Sequence, residues 1–109
     1  MLENTLQRKI QKFLKDKLPK AVIWKNHGNQ YSVIGLPDIM CVYKGNIVCI
    51  EVKIPGNKPT RLQEVTLKKL EDAGAICCVA YSVADVEKLL IENKILSGGT
   101  QDENKQKII

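Results

Sequence analysis

Leu2, Leu6, Ile10, Phe13, Leu14 and Leu18 recur every third or fourth position, with lysines and glutamines between them. That spacing draws one apolar stripe along a helix, which Pro19 ends. The apolar runs then shorten. Ala21–Trp24 reads as a brief strand, Asn26-His27-Gly28-Asn29 as a turn, and Tyr31-Ser32-Val33 as a loop or irregular strand. Asp38–Tyr43 and Ile47–Ile54 read as two strands around Lys44-Gly45-Asn46, a hairpin signal. Pro55-Gly56-Asn57-Lys58-Pro59 breaks the chain. Thr60 stands where an N-cap belongs, three residues before Gln63, and the helix it opens runs to Gly74. Ile76–Tyr81 is apolar toward both faces, as a central strand would be. Ser82 caps a last helix from Val83 to about Asn93.

The predicted order is α-β-β-β-α-β-α, an α/β class with a mixed central sheet flanked by helices. The first three strands can form an antiparallel meander. The fourth returns after a helix, so it should run parallel to its neighbour through a right-handed crossover. At 109 residues the chain holds one core and no internal repeat. We expect a single domain over residues 1–96 and a frayed tail over 97–109, which is rich in Gly, Asn, Gln and Lys. No apolar run approaches the length of a membrane span, and no signal peptide is expected.

Charge and cysteines change this picture little. The net charge of +5 is compatible with a polyanionic partner, and Arg8, Lys9, Lys12, Lys15, Lys17, Lys20 and Lys25 crowd the first quarter of the chain. Cys41, Cys49, Cys77 and Cys78 lie in apolar, strand-like runs without metal-ligand spacing. They read as small buried hydrophobes of a reducing cytoplasm, that of a bacterium or a phage-infected host cell, with Cys77 and Cys78 on opposite sheet faces.

The chemistry is concentrated in Asp38, Glu51 and Lys53. Side chains alternate across a strand, so Glu51 and Lys53 share one face. If the hairpin turns on Lys44-Gly45, Asp38 sits directly opposite Glu51. If it turns on Gly45-Asn46, Asp38 faces Lys53 and Glu51 becomes its diagonal neighbour. Either register gathers all three groups, whereas a three-residue loop would need a bulge to do so. Two carboxylates at that range repel unless one is protonated or a cation lies between them. Such oxygen ligands suit Mg²⁺ or Mn²⁺, which can polarise a phosphoryl oxygen and acidify a water. A nearby lysine could orient that water or offset charge on a phosphorane. A plain ion pair on a hairpin end is the simpler reading of Glu-x-Lys by itself. The combination with Pro37-Asp38 and a capped helix carrying Gln63 points instead to phosphodiester hydrolysis.

Gly35-Leu36-Pro37-Asp38-Ile39, Ile50-Glu51-Val52-Lys53, Arg61-Leu62-Gln63 and the run from Gly74-Ala75 to Val79-Ala80-Tyr81-Ser82 resemble the virus-type replication-repair nuclease (VRR-NUC) family of the PD-(D/E)xK superfamily. The resemblance covers most of the chain, to about residue 93, and is shared with archaeal Holliday junction resolvases. It implies a restriction-endonuclease-like core and a Mg²⁺- or Mn²⁺-dependent DNA endonuclease with no small-molecule cofactor. Asp38 and Glu51 would hold the metal, helped by the backbone carbonyl of Val52, and Lys53 would be the catalytic lysine. Gln63 matches a glutamine typical of the family's site; its other reading is the capping box with Thr60, and one side chain cannot easily serve both. Glu3 is the first-helix counterpart of an acidic residue many relatives place at the metal, or an acid complementing the helix dipole.

Other residues carry weaker expectations. Lys9, Lys12 and Lys15 would contact DNA if the first helix faces it, and Ser32, with Tyr31, could touch phosphate. His27 reads as an exposed turn residue, and Trp24 and Tyr43 as core rather than stacking platforms. Small relatives act on branched DNA as homodimers, and symmetric cuts require two sites. Leu89, Leu90, Ile91, Ile95 and Leu96 cover more than one side of the last helix and its exit, so an interface is expected there. The alternatives are a non-catalytic nucleic-acid-binding module on a nuclease fold, or a flap or single-strand nuclease.

Overall fold

A computed structural model describes residues 2–26 and 35–98. The elements are α1 (Glu3–Lys17), β1 (Val22–Lys25), β2 (Ile39–Tyr43), β3 (Asn46–Val52), α2 (Arg61–Asp72), β4 (Ile76–Ala80) and α3 (Val83–Glu92). Their order is the one predicted, with element ends shifted by one or two residues. The sheet runs β1-β2-β3-β4. β1, β2 and β3 pair antiparallel, and β4 joins β3 in parallel.

The hairpin register is decided by Lys44 and Gly45, both at positive φ (48° and 83°), as a two-residue type I′ turn requires. Tyr43 therefore pairs with Asn46, and Ile39 with Ile50. Of the two registers open from sequence, this is the one that sets Asp38 opposite Glu51.

The two faces of the sheet are covered unequally. Ile39 and Cys41 of β2, with Val48, Ile50 and Val52 of β3, point to one side. There they form a single cluster with Leu6, Ile10, Leu14 and Leu18, and with Val86 and Leu90 of α3. α1 and α3 lie side by side over this face. The other face carries Trp24, Met40, Val42, Ile47, Cys49 and Glu51, and α2 lies over its β4 edge. No residue of α2 is fully buried.

Leu90 is completely buried, and Leu89, Ile95 and Leu96 pack against the core cluster. Much of the apolar spread at the last helix therefore goes into closing the core, while Leu89, Ile91, Ile95 and Leu96 keep part of their surface exposed. Cys41 and Cys49 are buried, Cys77 and Cys78 partly so, and none is disulfide-bonded. Cys78 packs on the core while Cys77 pairs with Cys49 on the other face, so the adjacent pair does split across the sheet. Burial pushes both the Cys77 and Cys78 thiols up to about 12, which suits structural rather than reactive cysteines. Among the described residues no helix is long and apolar enough to cross a membrane.

Candidate active site

Gly35 sets the approach to the site. Its φ of +87° is a left-handed conformation, and a Cβ there would lie 2.8 Å from Thr66 Oγ1 and 3.0 Å from Leu62 Cγ. Only glycine lets the backbone leading into Leu36-Pro37-Asp38 press this closely on α2. Pro37 is completely buried. Asn26 then ties the segment to the edge strand: its N–H donates to the Asp38 carbonyl at 2.8 Å, and its Nδ2 donates to the Pro37 carbonyl at 2.7 Å. The Asp38 side chain crosses the hairpin, and Oδ2 accepts the Val52 N–H at 2.8 Å.

Glu51 is the centre of the arrangement. It is 1% exposed, in the middle of the sheet, one of only two buried polar or charged residues among those described. Oε2 accepts from Gln63 Nε2 at 2.9 Å and faces Lys53 Nζ at 3.5 Å. Oε1 has no hydrogen-bond partner among the described residues. Burial pushes the Glu51 carboxyl up to about 7; the nearby Asp38 charge adds to the rise, and the Lys53 ammonium opposes it. The Lys53 side chain is only 14% exposed, so its ammonium is committed to this site rather than to bulk solvent. Its N–H donates to the Ala80 carbonyl at 3.0 Å, extending the β3–β4 ladder to hold it there.

Gln63 does both of the jobs that the sequence set against each other. Its Oε1 accepts the Thr60 N–H at 2.8 Å, and its own N–H donates to Thr60 Oγ1 at 3.1 Å, which completes the capping box. The opposite end of the same amide donates to Glu51. A primary amide has a donor end and an acceptor end, so the cap and the site use different atoms.

This donor set fits a hard divalent cation. Both acidic groups are oxygen ligands, a buried carboxylate oxygen lacks a partner, and a cation would relieve the repulsion that raises Glu51. Among the described residues no third His, Cys, Asp or Glu joins Asp38 and Glu51, so Glu3 is not gathered with them. Lys9, Lys12 and Lys15 lie exposed along α1, on the side of the sheet away from Glu51, and Lys12 pairs with Asp16 at 2.9 Å. Lys12 and Lys15 also line a surface hollow with Arg8, Gln11, Asp16 and Ile23. His27, Tyr31 and Ser32 lie outside the described residues.

Two residues escaped the sequence reading. Asn26 reads from sequence as a turn residue, and no local pattern distinguishes a turn asparagine from one bracing the next strand. Trp24 was expected in the core but is 39% exposed, its indole Nε1 donating to Asn26 Oδ1 at 3.2 Å. Ile23 and Lys25 alternate with it, so period-two reading from Ile23 could have placed it on the outer face.

A solved structure described as "VRR_NUC domain" superposes with a TM-score of 0.66 and 26% sequence identity, covering 83% of this chain and 94% of that one. The chain has the fold of a VRR-NUC domain. No protein-family model and no curated protein matches the chain.

Proposed function

We propose that this VRR-NUC domain is a metal-dependent DNA endonuclease that hydrolyses phosphodiester bonds, acting on branched DNA as a homodimer. The observation that carries the reading is Glu51: a carboxylate buried in the middle of a sheet, opposed by Asp38, with Lys53 and Gln63 sharing one oxygen and the other unpartnered. Burying such a group is costly unless its charge is used. A structural ion pair would be expected to satisfy both oxygens.

Asp38 and Glu51, with the Val52 carbonyl, would hold Mg²⁺ or Mn²⁺. When bound, the ion would polarise the phosphoryl oxygen and lower the pKa of a water at the scissile phosphate. The remaining roles belong to the chain. The Val52 N–H fixes the Asp38 carboxylate, and Gln63 fixes that of Glu51, so neither needs to reorganise as a substrate arrives. Lys53 brings a compact positive charge to the edge of the site, where it would orient the attacking water or offset charge on the phosphorane. DNA is the substrate that the fold and the net positive charge favour. Paired cuts at a junction would follow from two copies related by a twofold axis, each supplying one site.

The test is cleavage of a four-way junction, a flap, a duplex and a single strand side by side, with Mg²⁺ or Mn²⁺ and with chelator. Metal-dependent, paired nicking of the junction is expected. Cleavage that persists in chelator would reject the metal reading, and cutting confined to flaps or single strands would reject the junction.

A further inference from the structure

Trp24 stands apart from every other aromatic residue in the described chain. It sits on β1, the edge strand, paired with Met40 and on the face that carries Glu51. Asp38 immediately precedes β2, two residues before Met40, and its carbonyl accepts the N–H of Asn26, two residues beyond Trp24. α2 covers the β4 edge of this face, and among the described residues no helix packs over the indole, which is 39% exposed.

The ring is nevertheless held. Its N–H donates to Asn26 Oδ1, and the same asparagine bonds the carbonyls of Pro37 and Asp38. A half-exposed aromatic plane is thus tied through one residue to the backbone of the segment bearing a metal-site carboxylate.

We propose that Trp24 is a base-stacking platform that makes the site select a strand with an unpaired nucleotide beside the phosphate to be cut. The proposal rests on the nuclease reading above. In an intact duplex both faces of a base are already stacked, so the indole can engage only a base that is frayed, flapped or displaced at a branch. The net charge of +5, together with Lys53 on this same face, favours a polyanion as occupant. The neighbouring Val22, Val42 and Ile47, exposed on the same face, supply an apolar surround to the ring rather than competing hydrogen-bond groups.

Trp24 is the chain's single tryptophan, so its emission reports directly on what covers it. In a cleavage-defective Glu51→Gln background, a short single-stranded oligonucleotide should quench that emission saturably, and a blunt duplex of the same sequence should not. Trp24→Ala should weaken single-strand binding roughly tenfold to a hundredfold, and in the otherwise native chain raise KM on a flap or junction more than it lowers kcat. Trp24→Phe, which keeps a ring, should restore most of the loss. DNA cleavage by the native chain with no quenching by the single strand would overturn the stacking proposal and leave the nuclease reading standing. Equal quenching by duplex and single strand would also overturn it. So would a change in emission with protein concentration alone, accompanied by a doubled mass in light scattering, which would identify a second copy as the occupant. Quenching without cleavage of any DNA by the native chain would support stacking while the nuclease reading fails.

Discussion

The two faces of the sheet divide the labour of this small domain. One is sealed by α1 and α3, and Ile39, Cys41, Val48, Ile50 and Val52 on it have no exposed surface at all. The other is only partly covered by α2, leaving Val22 61% and Ile47 44% exposed, and it carries the single buried carboxylate of the sheet. A domain of this size has apolar area enough for one well-packed face. Polar groups such as Glu51 and Lys53 cost least where the packing is already incomplete and where substrate or metal can supply the missing partners. The sealed face supplies the packed core, and the open one carries the proposed site.

The sharpest way to break this division is to disable one face and ask whether the other notices. Asp38→Asn and Glu51→Gln should each reduce cleavage to background while the far-ultraviolet circular dichroism stays native. Both keep shape and remove a charge from the proposed metal site. Near-native rates from either variant would remove the carboxylate pair from the mechanism.

The converse experiment acts on stability. Ile50→Ala leaves a cavity under α1 and α3 and should cost about 2–5 kcal/mol. Val42→Ala, on the open face of a neighbouring strand, removes a partly exposed side chain and should cost less than about 1 kcal/mol. Urea titrations of the two variants would measure the contrast, and equal losses would abolish it.

Metal-free protein should show the open face as a dependence of stability on pH. The Glu51 carboxyl is raised from 4.5 to about 7 in the folded chain, so between those values the folded state holds a proton that the unfolded state has released. Stability is therefore greatest below the unfolded value and falls as pH rises toward 7, by a few kcal/mol at most at ~1.4 kcal/mol per pKa unit. Thermal melts in chelator would record the slope, and Glu51→Gln should flatten it. A slope unchanged by that substitution would place the titrating group elsewhere.

A more graded effect is expected at the seam between cap and site. Gln63→Ala should lower cleavage about 10- to 100-fold by loosening Glu51. It should also cost about 1 kcal/mol of stability through the lost cap. Gln63→Glu would keep the capping acceptor while placing a negative charge against Glu51, so stability and activity should separate in that variant. Parallel measurements of the melting temperature and the rate would show whether the two roles are independent.

The element order was legible in the sequence because periodicity and punctuation are local properties. The heptad-like stripe of α1, the Lys44-Gly45 turn and the Thr60–Gln63 capping box each act within a few residues. The meeting of Asp38, Glu51 and Lys53 was legible too, since strand alternation and a short hairpin allow few registers. Which register holds was settled by two positive-φ residues that the sequence permitted but did not compel. Only the tertiary structure decided which apolar residues had anything to cover them. Leu90 of the last helix went wholly into the core and its apolar neighbours partly so, while Trp24 on the edge strand stayed 39% exposed. Only the assembled fold, likewise, let one glutamine serve helix and site together, by bringing α2 against β3 with its amide spanning the gap. Burial depends on what the rest of the chain brings alongside, and hydrophobicity along a single segment carries no record of that.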